Sequence, residues 1–303
     1  MVTDMIAVNN VTKLFGETKA LGSVSLAIEG GGVYGLIGSN GSGKSTLLRI
    51  IAGVYRADGG TVTIDGQQTF ENTALKDRIL FVSDEPYFFS QYTIEGMADF
   101  YRHFYSRWDE NTYKRLCGVF PLDTKKRINT FSKGMKRQAS LLLALSASPE
   151  FLLLDEAFDG LDPVMRALLK RIIAEKAADM NLTTVITSHN LRELEDLCTK
   201  IGLLHYGRMV LERDYDSLKD TMHKAQIAFA QDIPKEALSS LGALKIETSG
   251  RVATMVLRGA HDEIKARLEA LNPLFIELLP LTLEEIFLYE MEETGYDFSQ
   301  LIS

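Results

Sequence analysis

The chain has 303 residues, 46% hydrophobic and 24% charged, with a formal net charge of −8 and a sequence pI of about 5.3. That composition fits one large or two modest globular cores, and its acidic balance argues against a nucleic-acid binder, which needs clustered Lys and Arg. Two cysteines are too few for a disulfide framework and suit a reducing cytoplasm, and there is neither a run of about 18 apolar residues to span a bilayer nor, at Met1-Val2-Thr3-Asp4, the pattern of a signal peptide.

Residues Met5 to Glu29 carry strand-like segments, including Ala20–Ile28, and Gly30-Gly31-Gly32 predicts a turn. Val33–Ile37 is an apolar run that predicts a buried strand. It leads into Gly38-Ser39-Asn40-Gly41-Ser42-Gly43-Lys44-Ser45-Thr46, and Leu47–Ile51 predicts a helix after it. This run fits G-x-x-x-x-G-K-[ST], the phosphate-binding loop of nucleotide triphosphatases. Backbone N–H groups of such a loop and the positive end of the following helix surround phosphate oxygens. Lys44 would reach the β- and γ-phosphates and the Ser45 hydroxyl would ligate Mg²⁺.

Asp58-Gly59-Gly60 predicts the end of a helix and the opening of a strand, Thr61–Ile64, closed by Asp65-Gly66. Ile79–Val82 reads as another strand. From about Phe88 to Ala147 the period is mostly helical, and Phe100, Tyr101, Phe104, Tyr105 and Trp108 read as helical core rather than a base-stacking platform. Lys125-Lys126-Arg127 reads as a solvated helix end.

Phe151–Leu154 and Thr183–Thr187 lack alternation, as strands buried on both faces of a parallel sheet do. Asp162-Pro163 predicts the start of the helix between them. Alternating strands and helices make the fold α/β. Leu191, Leu194 and Leu197 predict a helix that carries Cys198 in the core. Composition shifts near Asp220. Beyond it Ala225–Ala230, Ala243–Glu247 and Val252–Leu257 read as strands and Asp262–Leu271 as a helix, a small α+β domain over 222–303.

Asp155 and Glu156 follow four apolar residues, so they sit at the carboxyl end of a buried strand, where open α/β sheets bind ligands. Asp155 is placed to hold Mg²⁺, and Glu156 to orient or deprotonate an attacking water. His189 ends the next strand and is placed to meet a γ-phosphate. Ser132 and Gly134, in Phe131-Ser132-Lys133-Gly134-Met135-Lys136-Arg137-Gln138, open a helix and form a second candidate anion site.

That segment resembles the signature motif of ABC ATPases, and the motifs between residue 5 and about 220 follow that family's order. The resemblance implies the P-loop ABC-ATPase fold: a mostly parallel core sheet, an antiparallel N-terminal subdomain and a helical subdomain over about 88–147. These form a nucleotide-binding domain over 1–221, with 222–303 an accessory, regulatory or dimer-bracing domain. It implies an adenine-stacking role for Phe15 and nucleotide contacts from Ser39, Asn40, Gly41, Ser42, Gly43, Lys44, Ser45 and Thr46. It also implies a role for Ser132 and Gly134 in closing over the ATP of a facing subunit, with Lys133, Met135 and Lys136 as variant positions. Asp155 matches the magnesium carboxylate, Glu156 the catalytic glutamate, His189 the switch histidine, and Asp162 the acidic residue of the loop that crosses the dimer interface. Asp84 departs from the pattern: the family usually has Gln there, and Asp keeps an oxygen for Mg²⁺ while adding charge and shortening the reach.

The C-terminal extension and Leu281–Phe287 resemble ATP-binding subunits of bacterial exporters, of the kinds linked to acetoin utilisation and bacitracin-type resistance. The resemblance implies an ATP- and Mg²⁺-using ATPase, homodimeric or paired with a second ATPase subunit, bound to integral-membrane subunits at the inner face of the cell membrane. Two other readings are a soluble ABC ATPase acting on ribosomes or nucleic acid, and a nucleotide-sensing regulator. Relatives of the first kind carry two cassettes or a long coiled coil, whereas this chain has one phosphate loop and no sustained heptads.

Overall fold

The computed structural model describes residues 5–180, 182–215, 217, 222–231 and 235–293. Met1–Asp4 and Asp220 lie outside them. The chain divides into two compact units, Met1–Glu212 and Arg213–Ser303. The expected boundary at 221/222 lies at the first residue of the strand Met222–Ala228.

The first unit holds two sheets. β1 (Met5–Phe15), β2 (Thr18–Glu29), β4 (Gly59–Ile64) and β5 (Gln67–Gln68) form a four-stranded sheet in the order β2-β1-β4-β5, all pairs antiparallel. Its inward positions Ile6, Val8, Val24, Leu26, Val62 and Ile64 alternate with half-buried or exposed ones, as a sheet with one buried face requires. The second sheet has six strands, in the order β10-β9-β3-β8-β7-β6. They are β3 (Val33–Ile37), β6 (Ile79–Val82), β7 (Phe151–Asp155), β8 (Thr183–Ser188), β9 (Lys200–His205) and β10 (Arg208–Asp214). The pairs β3–β8, β3–β9, β6–β7 and β7–β8 are parallel. Every residue of β3, β7 and β8 is buried, which accounts for their unalternating sequences.

Helix α1 (Lys44–Ile51) lies between the sheets, and its Leu47, Leu48, Ile50 and Ile51 pack into one core with both. Each such side chain contributes about 1.5–3 kcal/mol, so the first turn of α1 is firmly placed. The helix stops at Ile51, with Gly53 at φ +68°, well before Asp58, so the expected helix into Asp58 is replaced by an irregular segment.

Helices α2 (Thr73–Arg78), α3 (Ile94–Phe104), α4 (Glu110–Val119) and α5 (Lys133–Ser146) follow. The side chains of Asn72, Thr93, Asp109 and Ser132 cap them by accepting from main-chain N–H groups. Lys125–Arg127 is a turn bridged to Thr93, not a helix end. Of the expected aromatic core residues, Phe104 is 64% exposed, because it sits on the outer face of α3 against Phe100.

Helix α6 (Pro163–Met180) starts on two hydrogen bonds of 3.0 Å from the Val164 and Met165 N–H groups to Asp162 Oδ1. The helix expected through Leu191–Leu197 is a single 3-10 turn, Leu191–Glu193, followed by turns. Asn190 caps the turn and Asp196 takes φ +60°, which ends helical propagation. Cys198 is buried in the core all the same, and burial pushes its thiol up to about 12.

The second unit runs β11 (Met222–Ala228), α7 (Lys235–Ser239), β12 (Lys245–Ser249), β13 (Val252–Arg258), α8 (His261–Glu269), β14 (Phe275–Pro280) and α9 (Leu283–Glu293). Its sheet, ordered β12-β13-β11-β14 with antiparallel pairs, is a split βαβ arrangement. Ala225, Ile227, Met255 and Leu257 pack with Leu238, Ile264 and Leu268 on one face. Met222 and Val256 pack with Ile286 and Tyr289 on the other.

Candidate functional site

The loop Gly38–Gly43 leaves the end of β3 and feeds α1. Gly43, the residue before the helix, has φ +106°, and a Cβ there would lie 2.7 Å from the Ala20 carbonyl, so only glycine fits. Lys44 is buried, and its Nζ donates to the carbonyls of Gly38 at 2.6 Å and Ser39 at 3.2 Å. The same ammonium lies 3.3 Å from Glu156 Oε1. Lys44 is the first residue of α1, where helix N–H groups lack intrahelical partners and the helix dipole is positive.

The ends of β7 and β8 bring the other groups in. Asp155 is fully buried. Its Oδ1 accepts hydroxyl hydrogen bonds from Ser45 at 2.9 Å and Thr187 at 2.8 Å. Its Oδ2 has no hydrogen-bond partner among the described atoms, with Arg49 Nη2 3.9 Å away. Burial holds the Asp155 carboxyl above the usual range, against the lowering effect of the two hydroxyls. A buried carboxylate oxygen with spare lone pairs, next to a serine hydroxyl and a phosphate loop, fits a hard divalent cation.

Glu156 takes φ +48°, uncommon for a residue with a side chain. Its N–H donates to Thr187 Oγ1 at 3.0 Å, and its carbonyl accepts from Arg137. The carboxylate lies between two partners, Lys44 Nζ on Oε1 and His189 Nδ1 at 2.9 Å on Oε2. Lys44, Ser45, Asp155, Glu156 and His189 therefore form one connected cluster at the strand ends.

The remaining expected residues surround it. Asp84 lies just beyond β6, its Oδ1 3.6 Å from Arg49 Nη2 and its carbonyl on Arg137. Phe15 ends β1, half exposed, edge-on to Tyr55 at 5.7 Å between ring centres. Ser132 Oγ accepts from the Met135 N–H at 3.2 Å. Gly134 packs so closely that a Cβ would lie 2.8 Å from the Gly160 carbonyl. Lys133 Nζ reaches Asp159 Oδ2 at 3.2 Å, a hydrogen bond that lowers the Asp159 carboxyl. Three residues of this region carry no sequence signal of their own: Thr187, Arg49 and Arg137. Only the fold brings them to the cluster.

The family model described as ABC transporter matches residues 21–159. The ABC transporter ATP-binding protein YtrB of Bacillus subtilis (strain 168) is 32% identical over 284 residues, 94% of this chain and 97% of that protein. The chain belongs to the ABC transporter ATP-binding proteins. The Bacitracin transport ATP-binding protein BcrA of Bacillus licheniformis is 30% identical over 226 residues, 74% of each chain. A solved structure of an ATP-binding subunit of an ABC transporter superposes with a TM-score of 0.66 at 25% identity, covering 71% of this chain and 92% of that one. The parallel core, antiparallel subdomain and helical insertion described above are thus an ABC ATPase cassette, and ATP binding and hydrolysis are the activity of this family.

Proposed function

We propose that this ATPase is Mg²⁺-dependent and powers export through separate integral-membrane subunits. The observation that carries the enzymatic part is the cluster of Lys44, Ser45, Asp155, Glu156 and His189. Lys44 offers a buried cation for the β- and γ-phosphates. Ser45 and the open oxygen of Asp155 would hold Mg²⁺, with Asp84 beside them, where the cation would supply charge neutralisation for the phosphates. Glu156 orients the attacking water and accepts its proton. His189 holds the Glu156 carboxylate and faces the γ-phosphate. Phe15 stacks on adenine, and the backbone of residues 39–46 cradles the triphosphate.

Two such chains, identical or paired with a second ATPase subunit, place Ser132 and Gly134 of each over the ATP of the other. ATP thereby shifts the population toward a closed dimer, and hydrolysis reopens it. The membrane subunits dock near Asp84 and the helical region, which puts the cassette at the inner face of the cell membrane. We favour export because the chain is similar to the bacitracin transport ATP-binding protein BcrA. Residues 222–303 regulate or brace the dimer. No helix of the described residues is long and apolar enough to cross a membrane.

Glu156→Gln tests this reading. Turnover is expected to fall by orders of magnitude while ATP binding persists and a dimer accumulates; normal hydrolysis by the variant refutes it. The trapped form, tagged in its native host, is expected to co-purify a polytopic membrane protein. Ribosomes or nucleic acid in its place would overturn the transport reading.

A further inference from the structure

Among the described residues Arg137 is the largest side chain buried completely, 1% exposed. It is the fifth residue of α5, the helix opened by Ser132. Among the described residues no carboxylate lies within ion-pair distance of it. Its Nη1 donates to the backbone carbonyl of Glu156 and its Nη2 to that of Asp84, while Nε has no partner. Burying a guanidinium is costly, and an apolar side chain of similar length would fill the space without that cost. The two carbonyls it holds belong to the proposed catalytic carboxylate and to the loop beyond β6.

Glu156 depends on such support. Its left-handed φ persists only where the surroundings fix it. Thr187 holds its N–H and Arg137 its carbonyl. With both main-chain groups pinned, the side chain is delivered between Lys44 and His189.

We propose that Arg137 is a positioning residue: one arm sets the backbone of Glu156, the other ties that backbone to Asp84, so movement of the Asp84 loop or of α5 is passed to the catalytic carboxylate. The inference rests on the role given to Glu156 above.

The experiment uses the full chain, with kcat and KM for ATP measured separately and binding followed with a fluorescent trinitrophenyl ATP analogue. Arg137→Met is expected to lower kcat roughly 10- to 100-fold, because a small misplacement of a reacting group costs about that much. KM and the analogue Kd are expected to stay within about threefold. Arg137→Lys, which keeps the charge and can reach one carbonyl, is expected to recover part of the lost kcat. In a Glu156→Gln background, where the positioned carboxylate is absent, Arg137→Met is expected to change residual turnover less than about twofold.

A folded Arg137→Met with parental kcat overturns the proposal, as does an equal loss in the Glu156→Gln background. Should Arg137→Met not fold, Arg137→Lys decides: a lowered kcat at unchanged KM supports the proposal, and parental kcat overturns it. Normal turnover by Glu156→Gln alone would instead remove the catalytic reading itself.

Discussion

Thr187→Val is the sharpest perturbation of the site, because a single buried hydroxyl holds both the Asp155 carboxylate and the main-chain N–H of Glu156. Thr187 Oγ1 donates to Asp155 Oδ1 at 2.8 Å and accepts from the Glu156 N–H at 3.0 Å. Valine keeps the volume and removes both bonds. A hydrogen bond to a charged group is worth about 1.5–3 kcal/mol and an orphaned N–H costs about 1–3 kcal/mol. The two losses overlap, since one hydroxyl makes both, and about 3 kcal/mol is expected. For a unit the size of Met1–Glu212 that lowers the melting midpoint by roughly 6–12 °C. The pH dependence has a definite sign. Burial raises the folded-state pKa of Asp155 and the Thr187 hydroxyl opposes the rise, so the variant raises it further. A raised carboxyl gives stability that is full below its unfolded value, about 3.9, and lost as pH rises through the folded value. The stability gap between variant and parent is therefore wide at neutral pH and narrows toward about pH 4. Thr187→Ser, which keeps the hydroxyl, is expected to lose only about 1 kcal/mol for the missing methyl. Thermal unfolding of all three proteins at several pH values reads this directly. A Thr187→Val protein that melts within about 1 kcal/mol of the parent, with a gap that does not vary with pH, refutes the reasoning.

Two further substitutions separate binding from assembly. Lys44→Ala removes the cation that spans Gly38, Ser39 and Glu156, and titration with a fluorescent ATP analogue is expected to show affinity at least tenfold weaker; unchanged affinity would exclude the phosphate-loop role. Gly134→Ala puts a Cβ 2.8 Å from the Gly160 carbonyl and must shift the start of α5. Sedimentation of the Glu156→Gln, Gly134→Ala double variant with ATP is expected to show loss of the dimer with binding per subunit retained, and a dimer as abundant as that of Glu156→Gln alone would count against the signature role.

Local chemistry made part of this molecule readable. β3, β7 and β8 were legible because strands covered on both faces carry unbroken apolar runs, and the carboxylates Asp155 and Glu156 were legible from where the apolar run of β7 ends. The Asp162-Pro163 start of α6 was legible because the cap bonds are two and three residues away. Spacing misled where a backbone angle, not an apolar stripe, decided the outcome: Leu191, Leu194 and Leu197 keep helical intervals, yet Asp196 at φ +60° breaks the run. β14 went unread because Phe275–Pro280 sits on a sheet edge and its sequence, Phe-Ile-Glu-Leu-Leu-Pro, neither alternates nor runs unbroken apolar, although Ile276 and Leu278 pack on the core. Thr187 and Arg137 could not be read at all. Their partners lie 19 to 53 residues away, and only packing of β6, β7, β8 and α5 brings them together.

The departure at residue 84 follows the same logic. A carboxylate there adds charge beside Asp155, and the Asp84 field is one of the influences that raise the Asp155 carboxyl. Arg49 stands four residues after Ser45 on α1, one turn along the same face. Its guanidinium lies 3.6 Å from Asp84 and 3.9 Å from Asp155, and rests near the rings of Tyr55 and Phe81. One cation thus offsets two carboxylates that would otherwise repel each other across the mouth of the phosphate loop. Because Asp84 is half exposed and Asp155 fully buried, the two ends of this bridge differ in solvation. A positive charge placed beside Asp84 would compete with Arg49 at its exposed end and leave Arg49 to the buried one, so charge at the surface of the loop bears on Asp155.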